Sequence, residues 1–157
     1  MGLSKASVFH HFKNSEALAL ALVDRCGSKY GVEYNTIASS KSKAPKKLRD
    51  VAKSFEAGLK KNRLCLLAAL GSSQPTLTER LQDSLGQTAK SGVRILARIF
   101  EQGKKEDSLR FEGTSKAAAQ SYLALLQGLQ QLSRYSKDLS IFKLSAEFYI
   151  GSIEAKG

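Results

Sequence analysis

Cysteine is scarce in this chain of 157 residues: Cys26 and Cys65 are the only two. Two are too few for a disulfide scaffold, and they lack metal-ligand spacing, so both are expected as free thiols. No apolar run reaches the length of about eighteen residues that a membrane-spanning helix needs, and no membrane partner is expected. A signal peptide's apolar stretch is also missing, because Lys5, His10 and His11 fall inside the first residues, so a cytoplasmic location is expected. There is no Gly-x-Ser-x-Gly elbow and no Gly-rich phosphate loop. Neither histidine has a Ser or Cys partner in a local motif, so no enzyme activity and no cofactor are expected. No segment alternates strictly between apolar and polar residues, which argues against a sheet. Internal repeats and low-complexity tracts are absent.

Acidic side chains are in deficit, with 14 Asp and Glu against 25 Lys and Arg and a net charge of +11. The excess is uneven. Through Leu64, 13 basic residues face 5 acidic ones, a balance of +8, while the remainder holds 12 against 9, a balance of +3. A field of that sign attracts a polyanion through counterion release. The cluster Lys41, Lys43, Lys46, Lys47, Arg49 and Lys53 belongs to that excess, and its plainer reading is a solvated face. A hydrophobic content of 42% and this length suit one core of ordinary size.

Helical spacing runs through the whole chain. Gly2 suits a tight turn, Ser4 can cap a helix over residues 5–12, and Val8 and Phe12 share one face of it. Asn14 or Ser15 can cap a long helix from Glu16 to about Asn35. A polar linker over 39–43 precedes a helix opened by Pro45 and ending near Asn62, and residues 64–71 form a short apolar helix. Thr76 and Glu79 form a capping box for a long helix reaching Gln102 or Gly103. Two more helices run from Thr114 to Tyr135 and from Leu139 to Ile153. His10 and His11 are adjacent, about 100° apart on a helix, and do not make a zinc pair. No metal site is expected.

The run Gly2-Leu3-Ser4, then Phe9-His10-His11-Phe12, then Glu16-Ala17-Leu18 resembles the second half of the helix-turn-helix of TetR-family bacterial transcriptional regulators. Phe9 stands where Tyr is usual and Ser15 where Lys is common. The resemblance continues weakly through Cys65-Leu66-Leu67, the long helix after Pro75 and the two closing helices. It implies an all-α fold: a truncated helix-turn-helix with connecting helix over 1–38, and a ligand-binding and dimerisation domain over 39–157. Lys5, Ala6, Ser7, Phe9, His10 and His11 then correspond to contacts with double-stranded operator DNA. The implied function is a ligand-responsive regulator, a repressor released by a small-molecule effector. The alternative is a truncated regulator that keeps ligand binding and dimerisation but has lost specific DNA binding; a non-specific basic nucleic-acid binder comes next.

Two stripes on the last helices can pair with their copies, and the resemblance implies a homodimer through a four-helix bundle. Leu125, Gly128, Leu129 and Leu132 are the candidates on one, Leu144 and Phe148 on the other. The candidate effector pocket is assigned to the middle helices, with Phe55, Leu59, Leu66, Leu70, Ile99, Phe100, Tyr122 and Leu126 as its walls. Each of these is more often an ordinary core residue than a pocket wall. Cys65 follows Lys60, Lys61 and Arg63 at a helix start, an environment that favours thiolate and makes it a candidate redox sensor; a small buried hydrophobe is its plainer role.

Overall fold

The computed structural model describes residues 13–71 and 76–155. Among them six helices follow one another: α1 Ser15–Ser39, α2 Ala44–Lys60, α3 Leu66–Gly71, α4 Glu79–Lys105, α5 Ser115–Tyr135 and α6 Leu139–Ile153. The fold is all-α, and the described residues hold only one isolated bridge, between Leu109 and Glu154. The segment Gly2–Phe12, with Lys5, Ala6, Ser7, Phe9, His10 and His11, lies outside the described residues, as does Pro75.

Short polar side chains set the helix starts. Asn14, Thr78, Thr114 and Asp138 accept hydrogen bonds from the N–H groups of Ala17, Leu81, Ala117 and Ser140, which the first turn leaves without helical partners. The cap of α4 is thus Thr78 rather than Thr76, since Thr78 stands immediately before Glu79 in extended conformation. Asn62 turns the chain after α2 at a φ of 53°, a left-handed conformation that Asn tolerates. The first long helix runs past the expected Asn35 to Ser39.

α1 and α4 pack side by side and parallel. Thr78 Oγ1 donates to Glu16 Oε1 at one end, and Arg98 Nη1 donates to Asn35 Oδ1 at 3.1 Å near the other. Gly27 permits this approach, because a Cβ there would sit 3.2 Å from the Thr88 methyl. The apolar residues divide into two clusters. The larger joins Tyr34 to α2 (Leu48, Val51, Phe55), α4 (Leu96, Ile99, Phe100), α5 (Tyr122, Leu126) and α6 (Phe142, Ile150). The smaller contains Val23, Leu81 and Leu85, with Leu66, Leu67 and Leu70 packed against it. A gap between them is therefore built into the fold.

The basic cluster after α1 is not one solvated face. Lys47 is only 2% exposed and donates to Ala38 O and Gln102 Oε1, both at 2.6 Å. It thereby neutralises the C-terminal end of α1, whose last turn has no basic residue of its own. Ala44 N–H, at the start of α2, donates to Glu106 Oε1 at 2.7 Å, replacing a side-chain cap that Lys43 does not provide. Lys46 and Lys53 pair with Asp50. Arg49 bridges Glu147 and Glu154, tying α2 to α6.

These contacts make stability pH-dependent. The hydrogen bond from Arg49 holds the Glu147 carboxyl below its ordinary value of 4.5. Burial opposes ionisation of Glu106, but hydrogen bonds from Gln102, Ala44 and Ser108 and the charge of Lys47 outweigh it and hold Glu106 below 4.5 as well. A carboxylate with a lowered folded pKa contributes its stability above the unfolded value, and that contribution is lost as pH falls towards the folded one. Thermal unfolding followed by circular dichroism should show a constant Tm from neutral pH to about 5.5 and a decline below about 5. Arg49→Met should shallow that acid limb and cost about 1 kcal/mol or less at neutral pH, because solvent screens these half-exposed pairs. An acid limb unchanged in the variant would refute the assignment.

Candidate functional site

The gap between the two clusters is a cavity of about 500 Å³. α1 contributes Val23, Cys26, Tyr30 and Tyr34, while α2 and the chain after it contribute Phe55, Leu64, Cys65 and Leu66. α4 faces them with Ser84, Thr88, Ser91 and Ile95, and α5 closes the end with Leu123 and Gln130. Gln130 is buried and held at both ends of its amide: its Nε2 donates to Phe55 O and its Oε1 accepts from Cys65 N–H, both at 2.8 Å. That side chain pins the end of α2 and the approach to α3 onto α5. Buried polar groups engaged in this way hold a wall in place, since breaking either bond would leave an unpaired group out of reach of water.

Of the residues predicted to line a pocket, Phe55 and Leu66 do so. Leu59, Ile99, Phe100, Tyr122 and Leu126 are buried in the larger cluster instead, and Leu70 packs against the smaller one. Tyr122 contributes its hydroxyl to the framework, donating to Leu48 O at 2.8 Å. The α1 wall, with Val23, Cys26, Tyr30 and Tyr34, was not among the expected lining residues. One available signal was the lapse in the apolar stripe of α4: after Leu81 and Leu85 the same face continues with Thr88 and Gly92 before Ile95. A helix face that turns small and polar in mid-course leaves space beside its neighbour.

Both cysteines are free thiols and both line the cavity. Gln127 Nε2 lies 3.4 Å from Cys65 Sγ, within donating distance for sulfur. Burial pushes the Cys26 thiol up, Cys65 adds to the rise and Lys29 opposes it, so Cys26 favours the neutral form. Burial likewise drives the Tyr34 phenol well above its usual value. Among the described residues no group of three or more His, Cys, Asp or Glu could hold a metal ion, and no helix is long and apolar enough to cross a membrane.

A second feature lies on the outside. Of seven large exposed hydrophobic residues among those described, five belong to the end of α5 and to α6: Leu132, Tyr135, Leu139, Leu144 and Phe148. Leu144 is 67% exposed and Phe148 80%. Side chains added at Gly128 or Gly151 on the same helices would meet nothing. Leu132, Leu144, Phe148 and Gly128 were expected on such a face; Leu125 is half-buried and packs against the larger core cluster. Leu129 is buried in the core instead, because it lies on the inward side of α5 with Leu126. Tyr135 and Leu139 join the exposed group and were not anticipated.

No protein-family model matches the chain, and no curated protein matches it by sequence. Solved structures do match. A TetR-family transcriptional regulator from Agrobacterium tumefaciens aligns with a TM-score of 0.90 at 23% identity, covering 98% of this chain and 82% of that one. The regulatory protein TetR from Rhodobacter sphaeroides aligns at 0.85 with 20% identity, covering 98% and 82%. The transcriptional regulator FadR from Bacillus subtilis, solved in complex with stearoyl-CoA, aligns at 0.71 with 17% identity, covering 95% and 81%. The chain therefore has the all-α fold of TetR-family transcriptional regulators.

Proposed function

We propose that this protein is a ligand-responsive transcriptional regulator that binds operator DNA as a homodimer, acts as a repressor and releases DNA when a small molecule occupies the cavity. The observation that carries this reading is the position of α1. It begins within the Gly2–Leu18 motif, carrying its last residues Glu16-Ala17-Leu18, and it supplies one wall of the cavity through Val23, Cys26, Tyr30 and Tyr34. An occupant of the cavity bears on the helix that leads to the DNA-reading segment. If the ligand prefers one setting of α1 and DNA the other, each weakens the binding of the other.

The exposed apolar face of α5 and α6 supports the dimer, since large apolar surfaces on soluble proteins mark interaction sites. The two-fold arrangement sets two copies of the motif on one face of the duplex. The basic excess through Leu64 supports the DNA partner. The bound stearoyl-CoA of FadR supports a small-molecule site within this fold. The regulatory role of the neighbours supports a non-enzymatic protein.

Selection from a random duplex pool, combined with sedimentation, tests the reading. Enrichment of one palindrome by a dimeric protein is expected. A dimer that enriches nothing would favour a ligand-binding protein without specific DNA binding. Binding that lacks sequence preference and falls steeply with salt would favour a basic nucleic-acid binder.

A further inference from the structure

We propose that the cavity takes a planar aromatic anion, a compound of fused or linked rings that carries a carboxylate or a similar acidic group. This deepens the sensor reading and rests on it for the effect on DNA; the binding itself is argued from the walls. One wall is a row of rings. Tyr30 and Tyr34 stand 5.8 Å apart, and Tyr34 and Phe55 stack at 6.3 Å with only 8° between their planes. Flat aromatic surface is matched best by another flat ring system, in offset or edge contact. Val23, Leu64, Leu66 and Leu123 add apolar surface beside the rings, facing the polar Ser84, Thr88 and Ser91 of α4. At about 500 Å³ the space falls in the range that encloses a drug-sized molecule.

The charge at the same place is positive. Arg63 and Arg94 line the cavity, and Asp24 is its one lining carboxylate among the described residues. Lys29 Nζ stands 5.1 Å from the Tyr30 ring centroid, and Glu33 beside Tyr30 and Tyr34 offsets that charge. Arg63 and Tyr30 both line the cavity, and burial is the main cause of the raised Tyr30 phenol, with the Arg63 charge the weakest influence and an opposing one. The Arg63 guanidinium forms no ion pair among the described residues, and neither it nor the Tyr30 hydroxyl has a hydrogen-bond partner there. An exposed guanidinium lining the same cavity as the ring wall suits a carboxylate whose aromatic body lies against the rings: the guanidinium is a fork of donors, and the Tyr30 hydroxyl on that wall can add one more. A long aliphatic acid would meet the same cation but would leave the flat rings poorly matched.

Fluorescence titration of the intact protein with pyrene carboxylate, pyrene carboxamide and dodecanoate tests this. Pyrene carboxylate should bind one site per chain, about tenfold or more tighter than the uncharged carboxamide. It should also bind more tightly than dodecanoate. Arg63→Gln should abolish the preference, weakening the carboxylate about tenfold and the carboxamide less than about twofold, with Tm unchanged because Arg63 is exposed. Tyr30→Leu should weaken both aromatic probes. Equal affinity for carboxylate and carboxamide, tighter dodecanoate, or an Arg63→Gln variant that keeps the preference would each overturn the proposal. Parallel operator-binding assays separate the two inferences. A carboxylate that binds as expected without changing operator affinity overturns the sensor reading and leaves the ligand class standing; a carboxamide that binds equally and releases operator does the reverse.

Discussion

Replacing Leu144 and Phe148 together by Asp should turn the protein into a folded monomer and lower its affinity for a palindromic operator by about a hundredfold or more. In the single chain these side chains are 67% and 80% exposed, so they add little to the stability of the monomer. Exposed substitutions of that kind usually change stability by about 0.5 kcal/mol or less. In a two-fold dimer the same change would bury two carboxylates per subunit without partners, at a cost of several kcal/mol. On the proposed function, operator affinity would fall with it, because a dimer presents its second DNA-binding segment at a high effective concentration once the first has bound. Sedimentation velocity, circular dichroism and gel shifts on one preparation would separate folding from assembly. A native chain that is monomeric at micromolar concentration, or a double variant that stays dimeric, would end the case for this face as the interface.

Phe100→Ala should cost about 3–5 kcal/mol, the usual range for removing a buried ring. Phe100 has no exposed surface and joins elements distant in sequence: Phe111 meets it edge-on at 5.4 Å and Tyr122 at 5.9 Å. Tyr122 in turn stacks on Tyr149 of α6 at 5.4 Å. The ring thus stands in a relay that connects α4, α5 and α6. Against a total stability of about 5–15 kcal/mol for a domain, such a loss leaves the fold close to unfolding at physiological temperature. Urea titration should show a lower midpoint with an unchanged slope. The contrast with a cavity wall is direct, because a wall residue would lose ligand affinity at small cost in stability. A loss under about 1 kcal/mol would contradict the assignment of Phe100 to the core.

Most helix positions were legible because they follow from local chemistry. Asn14, Thr114, Asp138 and Asn62 act on backbone groups within a few residues, and the apolar repeat of each helix is visible without its neighbours. The cap of α4 was misread by one turn signal because Thr76 and Thr78 are both plausible there, and only backbone geometry separates them. The exposed apolar face was also partly legible. Leu132, Leu144 and Phe148 are apolar at helical spacing on terminal helices, but Leu129 belongs to the same pattern and its direction depends on how α5 is rotated in the bundle.

Pocket and core could not be told apart in sequence, because both are built from the same residue types. Tyr122 and Phe55 are a buried aromatic pair of similar size, yet Phe55 borders the cavity and Tyr122 does not. Lys47 and Lys46 are adjacent and chemically identical; one is buried against Ala38 and Gln102, and the other is exposed beside Asp50. The helices, the excess of positive charge and the motif at Gly2–Leu18 can be read from the chain alone, since each depends on neighbours along it. Where the cavity lies and which rings line it depend instead on how distant helices pack. The parallel packing of α1 on α4 brings residues some sixty positions apart into contact, as Glu16 with Thr78 and Asn35 with Arg98, and no local pattern encodes that pairing.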